Sequence, residues 1–362
     1  MKKIILLILT AIIISGCKTN YKGLEPDKEY KEPNEVENIQ KIVNIMKEFQ
    51  KKENLETPSR RDAHAKHHAC VIGEFKVESN IAEKYKHGVF KQKSSYPVWI
   101  RFSNGSGKMK SDSEEDARGF AIKLMNVDGE KLLEKEKSEK TQDFLMMNHN
   151  AFFVKTVKDY VEFSEKVAEG KPFGFFLGIN PFKWRLHEMG VVKAIRKKKV
   201  TDLLATNYFT AVPFLLGEKA VKFSVKPCTK NNYTPKSDTS ENFLRENLKD
   251  YLNSKDACFE FLVQTQVDPN KMPVEDSTLE WDESLSPFVK IATVHVPKQT
   301  FDSEKQMSFC ENLSYTPWHS LPEHRPLGGV NRVRKPVYEA ISEQRHEANK
   351  IRRSEPTGKE IF

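Results

Sequence analysis

The strongest constraint on the fold is a set of short segments in which apolar and polar side chains alternate. Val71, Gly73, Phe75 and Val77 alternate with their neighbours, as do Val98, Ile100 and Phe102, and then Phe120, Ile122 and Leu124. Phe144–Val154 is a longer apolar run, and Phe259–Gln266 and Val289–Val296 add two more strand-like segments. A period of two puts alternate side chains on opposite faces of a strand, one of them buried. Helical patterns flank these strands. Pro33-Asn34 opens one with Val36, Ile39, Val43, Met46 and Phe49 on a single face. Thr156–Glu169 and Phe182–Lys199 read as helices, and Ser240–Asn253 gathers Phe243, Leu244, Leu248, Tyr251 and Leu252 on one side. A helical tail begins near Pro336. Strands in the middle with helices around them define an α+β chain built on an antiparallel, barrel-like sheet.

The 362 residues suffice for one large domain or two ordinary ones, and no internal repeat is present. With 38% hydrophobic and 30% charged residues, both signs interspersed, the composition is that of a globular protein, neither disordered nor membrane-spanning. The start of the chain is different. Lys2 and Lys3 precede Ile4–Ile14, an apolar run broken only by Thr10, and Ser15-Gly16-Cys17 follows. The run is short for a transmembrane helix and has the layout of a secretory signal. Ile14–Cys17 resembles a bacterial lipobox, which implies removal of residues 1–16 and acylation of Cys17. Residues 17–33 then form a polar tether, residues 34–57 an N-terminal helix, and residues 58–362 the main domain. Lys18 rather than an aspartate follows the cysteine, which favours the periplasmic side of an outer membrane. Several acyl chains together anchor stably, and the expected membrane contact is through that anchor only.

The net charge of +8 falls to +6 once Lys2 and Lys3 are gone. The one dense basic cluster, Arg196–Lys199, has no interleaved aromatics and reads as a solvated helix end, so no nucleic-acid partner is expected. Cys70, Cys228, Cys258 and Cys310 show no CxxC spacing, which argues against zinc. In an oxidising envelope they allow three disulfide pairings, among which the sequence does not choose; Cys258, in an apolar strand-like run, reads as a plain core residue.

Three separated segments carry reactive side chains. The first is Arg61-Asp-Ala-His64-Ala-Lys66-His67-His68. The second comprises Arg101-Phe-Ser103, Asp116-Ala-Arg118-Gly119-Phe120 and Asn148 ahead of Phe152-Phe153. The third is Arg334-Lys-Pro-Val-Tyr338, with Arg345 seven residues on. Each alone is ordinary; their joint order is not. The ordered set resembles the haem catalases over about residues 58–350. Arg61 and His64–Lys66 match the distal-histidine segment, and Ile100–Ser103 and Asp116–Lys123 match two barrel strands. Asp143, Asn148 and Phe152-Phe153 match the distal-asparagine segment, and Arg334, Tyr338 and Arg345 match the proximal one. Gln264 and Trp281 stand where the family has a barrel-strand glutamine and a tryptophan before its last strand.

The resemblance implies a catalase-like antiparallel β-barrel, a b-type haem (iron protoporphyrin IX) and a peroxide substrate. It makes Tyr338 the iron ligand, as in haem catalases generally. A phenol ionises only near pH 10, so Arg334, four residues back on the same helical face, would help hold it as phenolate; Pro336 would sit in that helix's first turn, where its missing N–H costs nothing. His64 would shuttle the peroxide proton, Ser103 would orient its ring, and Asn148 would polarise the peroxide. Arg61, Arg101 and Arg345 would meet the haem propionates. Two departures stand out. The stretch from His64 to Gly73 is one residue longer than in large catalases, with His67-His68 intervening, which makes His68 a rival distal residue. The chain also ends at Phe362, soon after Tyr338, nearer in length to minimal catalase-related peroxidases and allene oxide synthase domains. The expected activity is a hydroperoxidase acting on hydrogen peroxide or organic hydroperoxides in oxidative-stress defence. A fatty-acid hydroperoxide isomerase and a non-enzymatic haem-binding envelope lipoprotein are the alternatives, and a homo-oligomer stays open.

Overall fold

The computed structural model describes residues 23–53, 58–178, 180–197, 199–229, 235 and 238–362. The signal segment, Cys17 and the start of the tether lie outside the described residues.

The alternating segments become strands. In chain order these are β1 (His67–Val77), β2 (Ser95–Asn104), β3 (Arg118–Met125), β4 (Thr141–Met147), β5 (Tyr208–Phe209), β6 (Phe214–Leu216), β7 (Lys219–Pro227), β8 (Ala257–Thr265) and β9 (Val289–Val296). Every pairing among them is antiparallel. β1 to β5 pair in succession, β5 turns onto β7 through Tyr208–Val225 and Phe209–Ser224, and β9 returns to β1 through Glu74–His295. Eight strands thus close on themselves, with β6 a short ribbon on the start of β7. Closure removes the unpaired edges that an open sheet would expose.

A small barrel is filled by its own side chains. Here the filling is aromatic: Phe75, Phe144, Phe223 and Phe261, from four different strands, meet at ring-centroid distances of 5.0 to 5.4 Å in four of their pairs. On β1 the exposed Ile72, Glu74 and Lys76 alternate with buried Val71, Phe75 and Val77. The extra residue near the start of β1 is absorbed locally. His67 pairs with Ser103 and Ala69 with Phe102, so His68 forms a bulge and the downstream register is kept.

Helices α1 (Glu35–Glu53), α2 (Val89–Gln92), α3 (Val157–Ala168), α4 (Phe173–Phe176), α5 (Leu186–Lys197), α6 (Phe243–Leu252), α7 (Glu304–Asn312) and α8 (Gly329–Asn349) surround the barrel. Ile42 and Val43 of α1, Val157 and Val161 of α3, and Val333, Val337 and Ile341 of α8 share one buried cluster. Truncating one of them, such as Ile341→Ala, costs about 2–5 kcal/mol by lost transfer energy and the cavity left behind. Arg332 reinforces the contact through Glu29, Glu35 and Glu275.

Three expectations are corrected. α8 begins at Gly329, so Pro336 lies two turns inside it and not in its first turn. Gly328, at a φ of 86°, makes the turn that starts the helix, and the burial of Val330, Asn331 and Val333 secures the turns ahead of the proline. α5 begins at Leu186: Pro181–Lys183 is a separate 3₁₀ turn, with Asn180 Oδ1 accepting from the Phe182 N–H. Cys258 is not a plain core thiol. It is bonded to Cys228, which the antiparallel β7–β8 pairing brings opposite it, while Cys70–Cys310 ties β1 to α7.

Candidate active site

One cavity lies between the barrel wall and α8, and seven of the predicted site residues line it: Arg61, His64, Arg101, Ser103, Arg334, Tyr338 and Arg345. β2 contributes Arg101 and Ser103, β3 Gly119, Phe120 and Ala121, and β4 Leu145–Met147. From α8, Val330, Arg334, Val337, Tyr338, Ile341, Ser342 and Arg345 recur at steps of three and four, which is one helical face.

His64 is held on every side. Its φ of 58° is a left-handed conformation rarely taken by a non-glycine residue. Its backbone N–H donates to Gly105 O at 3.0 Å, and its carbonyl accepts from Arg101 Nη2 at 2.8 Å. Its Nδ1 shares a hydrogen bond with Ser103 Oγ at 3.0 Å. Directly across from Ser103 on the next strand is Gly119. A Cβ there would stand 2.6 Å from both His64 Nδ1 and Ser103 Oγ, so only glycine leaves room for the ring. Burial, then the charges of Arg101 and Arg334, push the imidazole down to a pKa of about 4, so it is neutral at pH 7.

His68 does not line the cavity. It is fully buried in the bulge, its Nε2 bonded to Asn104 Oδ1 at 2.8 Å and its Nδ1 3.8 Å from Asp112. His67 is turned to Glu311 at 3.1 Å. Asn148 does not line the cavity either. Its Oδ1 accepts the Arg118 N–H at 2.8 Å, while its Nδ2 is buried without a partner.

On the opposite wall Arg334 grips the Tyr338 hydroxyl, with Nε at 3.3 Å and Nη2 at 3.2 Å. Asn331 Oδ1 accepts from Arg334 Nη1 at 3.1 Å and fixes the guanidinium.

A third feature is cationic. Arg61 pairs with Glu311 at 3.0 Å and donates to Leu313 O, and Arg345 donates to Glu311 O at 2.7 Å. Burial, and then the neighbouring Arg61, push both Arg101 and Arg345 down to about 9. Glu311 falls to about 2, because Arg61, His67 and Arg101 outweigh the burial that would raise it. Besides Arg334, three guanidiniums line the cavity, those of Arg61, Arg101 and Arg345, with Glu311 the carboxylate bonded among them, and Arg101 Nε is buried with no partner. The surplus positive charge and the orphaned donor suit an anionic group. A phenol gripped by a cation, an apolar wall from β3 and β4, and a cluster of guanidiniums with one orphaned N–H are a donor set that fits a haem with two carboxylates.

Among the polar lining residues that sequence reasoning passed over are Asp62 and Tyr160, and it gave no reason for Gly119. Burial raises the Asp62 carboxyl to about 6 and pushes the Tyr160 phenol up. Asp62 lies between two residues already singled out, so its cavity position was within reach of the motif; Tyr160, on α3, had no such marker. Outside the cavity, Gln264 donates to Trp281 O at 3.0 Å and Ser286 O at 2.9 Å, joining the two residues matched in sequence.

The fold is that of the catalases. A solved fungal catalase superposes with a TM-score of 0.61 at 16% identity, covering 88% of this chain and 64% of that one. Catalase A from Saccharomyces cerevisiae gives a TM-score of 0.60, again at 16% identity, covering 86% and 64%. The chain thus spans 64% of the length of either. Residues 30–172, from the segment before α1 through α3, match the family model described as Catalase.

Proposed function

We propose that this chain is a haem-dependent hydroperoxidase that removes hydrogen peroxide or organic hydroperoxides. One observation carries the reading: the Arg334–Tyr338 pair and the Ser103–His64 pair line the same cavity, with Arg61, Arg101 and Arg345 beside it. Tyr338 would hold the iron through its phenolate oxygen, and the three arginines would meet the propionates. Haem held there would supply the redox chemistry for O–O cleavage.

The chain's own residues manage the proton. His64, neutral at pH 7, takes it from the near peroxide oxygen and returns it to the far one. Ser103 occupies Nδ1, which leaves Nε2 for the substrate. Asn148, the residue expected to polarise the peroxide, keeps its Nδ2 buried and unpartnered but stands outside the cavity lining, so we assign it no contact with the substrate. The fatty-acid hydroperoxide isomerase and the haem carrier are outcomes of the same test. Protein supplemented with haem is given hydrogen peroxide in an oxygen electrode; oxygen evolution or donor oxidation supports the proposal, whereas epoxide formation from a lipid hydroperoxide or complete inactivity refutes it. Tyr338→Phe is expected to lose haem or to change its ferric absorption spectrum; an unchanged spectrum at full haem occupancy refutes the ligand.

We place residues 58–362 in one haem domain behind helix α1 (Glu35–Glu53), held in the cell envelope by acylated Cys17. The two disulfides support an oxidising compartment.

A further inference from the structure

The largest unexplained feature of the surface is apolar. Phe182 is 98% exposed and Phe173 68%, and Leu177, Trp184 and Leu186 are exposed beside them. All five fall between Phe173 at the start of α4 and Leu186 at the start of α5, in or directly after α4 and the Pro181–Lys183 turn. Isolated exposed apolar residues are ordinary, but five large ones in fourteen positions are not.

The segment is braced. The indole of Trp184 donates to Gly178 O at 2.8 Å, and the Arg185 guanidinium lies 4.3 Å from the Phe175 ring while pairing with Asp159 and Glu162. Rings then run inward from Phe175 to Phe163 at 5.5 Å, to Phe153 at 4.7 Å and to cavity-lining Phe152 at 4.7 Å. The exposed side chains are therefore presented by a packed support.

Along the segment itself the charge is one-sided, while the acids Asp159 and Glu162 of neighbouring α3 are taken up by Arg185. From Lys171 to Lys199 the chain carries eight Lys or Arg and a single acid, Glu188. α5 buries Val191 and Ile195 and exposes Lys193, Arg196 and Lys197. The basic cluster that the sequence left as a solvated helix end thus closes a helix that directly follows the exposed Phe182 and Trp184. Trp, Phe and Leu beside Lys and Arg are the composition of a surface that rests at a bilayer interface, with rings among the acyl chains and cations on anionic headgroups.

We propose that residues 173–197 form a second, non-covalent membrane contact that docks the domain on an anionic phospholipid surface. The occupant is the bilayer because the exposed Lys183, Lys193, Arg196 and Lys197 of this segment, with Glu188 its single acid, complement anionic headgroups. This inference does not depend on haem or on the proposed activity.

The test uses the chain from residue 23, which keeps every described element and removes the apolar leader, with vesicles of phosphatidylethanolamine and phosphatidylglycerol. The protein is expected to sediment with them and to bind pure phosphatidylcholine vesicles far more weakly. Phe182→Asp, at a nearly fully exposed site, and the double variant Lys193→Glu/Lys197→Glu are each expected to weaken binding about tenfold or more. Trp184 emission should shift to the blue on binding, and that shift should vanish in Trp184→Phe. Absence of binding to the anionic vesicles, or binding that survives both sets of changes, overturns the proposal. A concentration-dependent dimer that Phe182→Asp dissociates, with vesicles ignored, overturns it in favour of a second copy of the chain.

Discussion

Gly119 is the most exacting position in the site, because its neighbours leave no space for one methyl group. Gly119→Ala adds a Cβ 2.6 Å from His64 Nδ1 and 2.6 Å from Ser103 Oγ, on a strand whose backbone is fixed by pairing to both β2 and β4. The strand cannot withdraw, so the imidazole must move, and His64 is already clamped at its N–H and its carbonyl. Overpacking of this kind costs about 1–3 kcal/mol of stability. The catalytic loss is expected to be larger. A misplacement of about 1 Å is worth about 10²-fold in rate, and general acid–base help as a whole about 10²–10⁴-fold. Peroxide turnover in Gly119→Ala should therefore fall about 10²-fold or more. Haem content should hold, because the Tyr338 wall is untouched. Combining it with Ser103→Ala removes one of the two clashes and should restore part of the thermal stability without restoring turnover, since Nδ1 then has no partner. The assay is initial-rate oxygen evolution per bound haem, with the melting temperature measured alongside. Wild-type turnover and pH profile in Gly119→Ala would refute the reasoning.

His64→Ala should slow peroxide cleavage about 10²–10⁴-fold with haem content retained, while His68→Ala should act mainly on stability; steady-state rates per haem decide, and the reverse pattern places His68 in the pocket. Cys70→Ser should destabilise by about 2–5 kcal/mol, read as a lower urea midpoint under oxidising conditions and no difference from wild type in reductant. Stability should fall as pH drops from about 6.5 toward 4, followed by urea midpoints. Burial holds His64 and His67 at about 4 and His68 and His324 at about 3, so the unfolded chain binds those protons first, at about 1.4 kcal/mol per pH unit for each. Asp62 and Asp143, raised by burial to about 6, oppose this and make the slope shallower; a midpoint that rises on acidification would refute the assignment. Globomycin should cause the unprocessed precursor to accumulate, and Cys17→Ala should mislocalise the protein; a wild type that is free in the envelope fraction rules out the lipid anchor.

The strands were legible because a closed barrel with a filled interior imposes strict alternation, and β9 spans the very residues, Val289–Val296, that the pattern marks. The start of α8 was not, because Gly328-Gly329 and Pro336 all read as helix breakers. Only the burial of Val330, Asn331 and Val333 against the rest of the fold overrides them. Cys258 was misread for a related reason: an apolar strand residue and a strand cysteine facing a partner look alike until the β7–β8 register is known. Most of the site was found through order along the chain, but order does not report direction. Nothing in Arg-Asp-Ala-His predicts that His64 takes a positive φ, that Asn148 turns its oxygen to β3, or that Asp62 joins the cavity wall.

The arginine cluster shows why such a site is built on a barrel braced by helices. Arg61, Arg101 and Arg345 come from the lead-in to β1, from β2 and from α8, and the charge of Arg61 makes it harder for both Arg101 and Arg345 to stay charged. Glu311 answers one of them directly. Bringing the other two out of water against that repulsion opposes folding, and the closed sheet and the α1–α3–α8 core must supply the difference. Whatever anion enters the cavity removes the repulsion and binds only the folded state, so it stabilises the protein in proportion to the logarithm of its concentration over its dissociation constant. The same residues that make the empty pocket costly thus make its ligand part of the fold. This is consistent with their position beside the Tyr338 and His64 walls, where a dianionic haem would place its carboxylates.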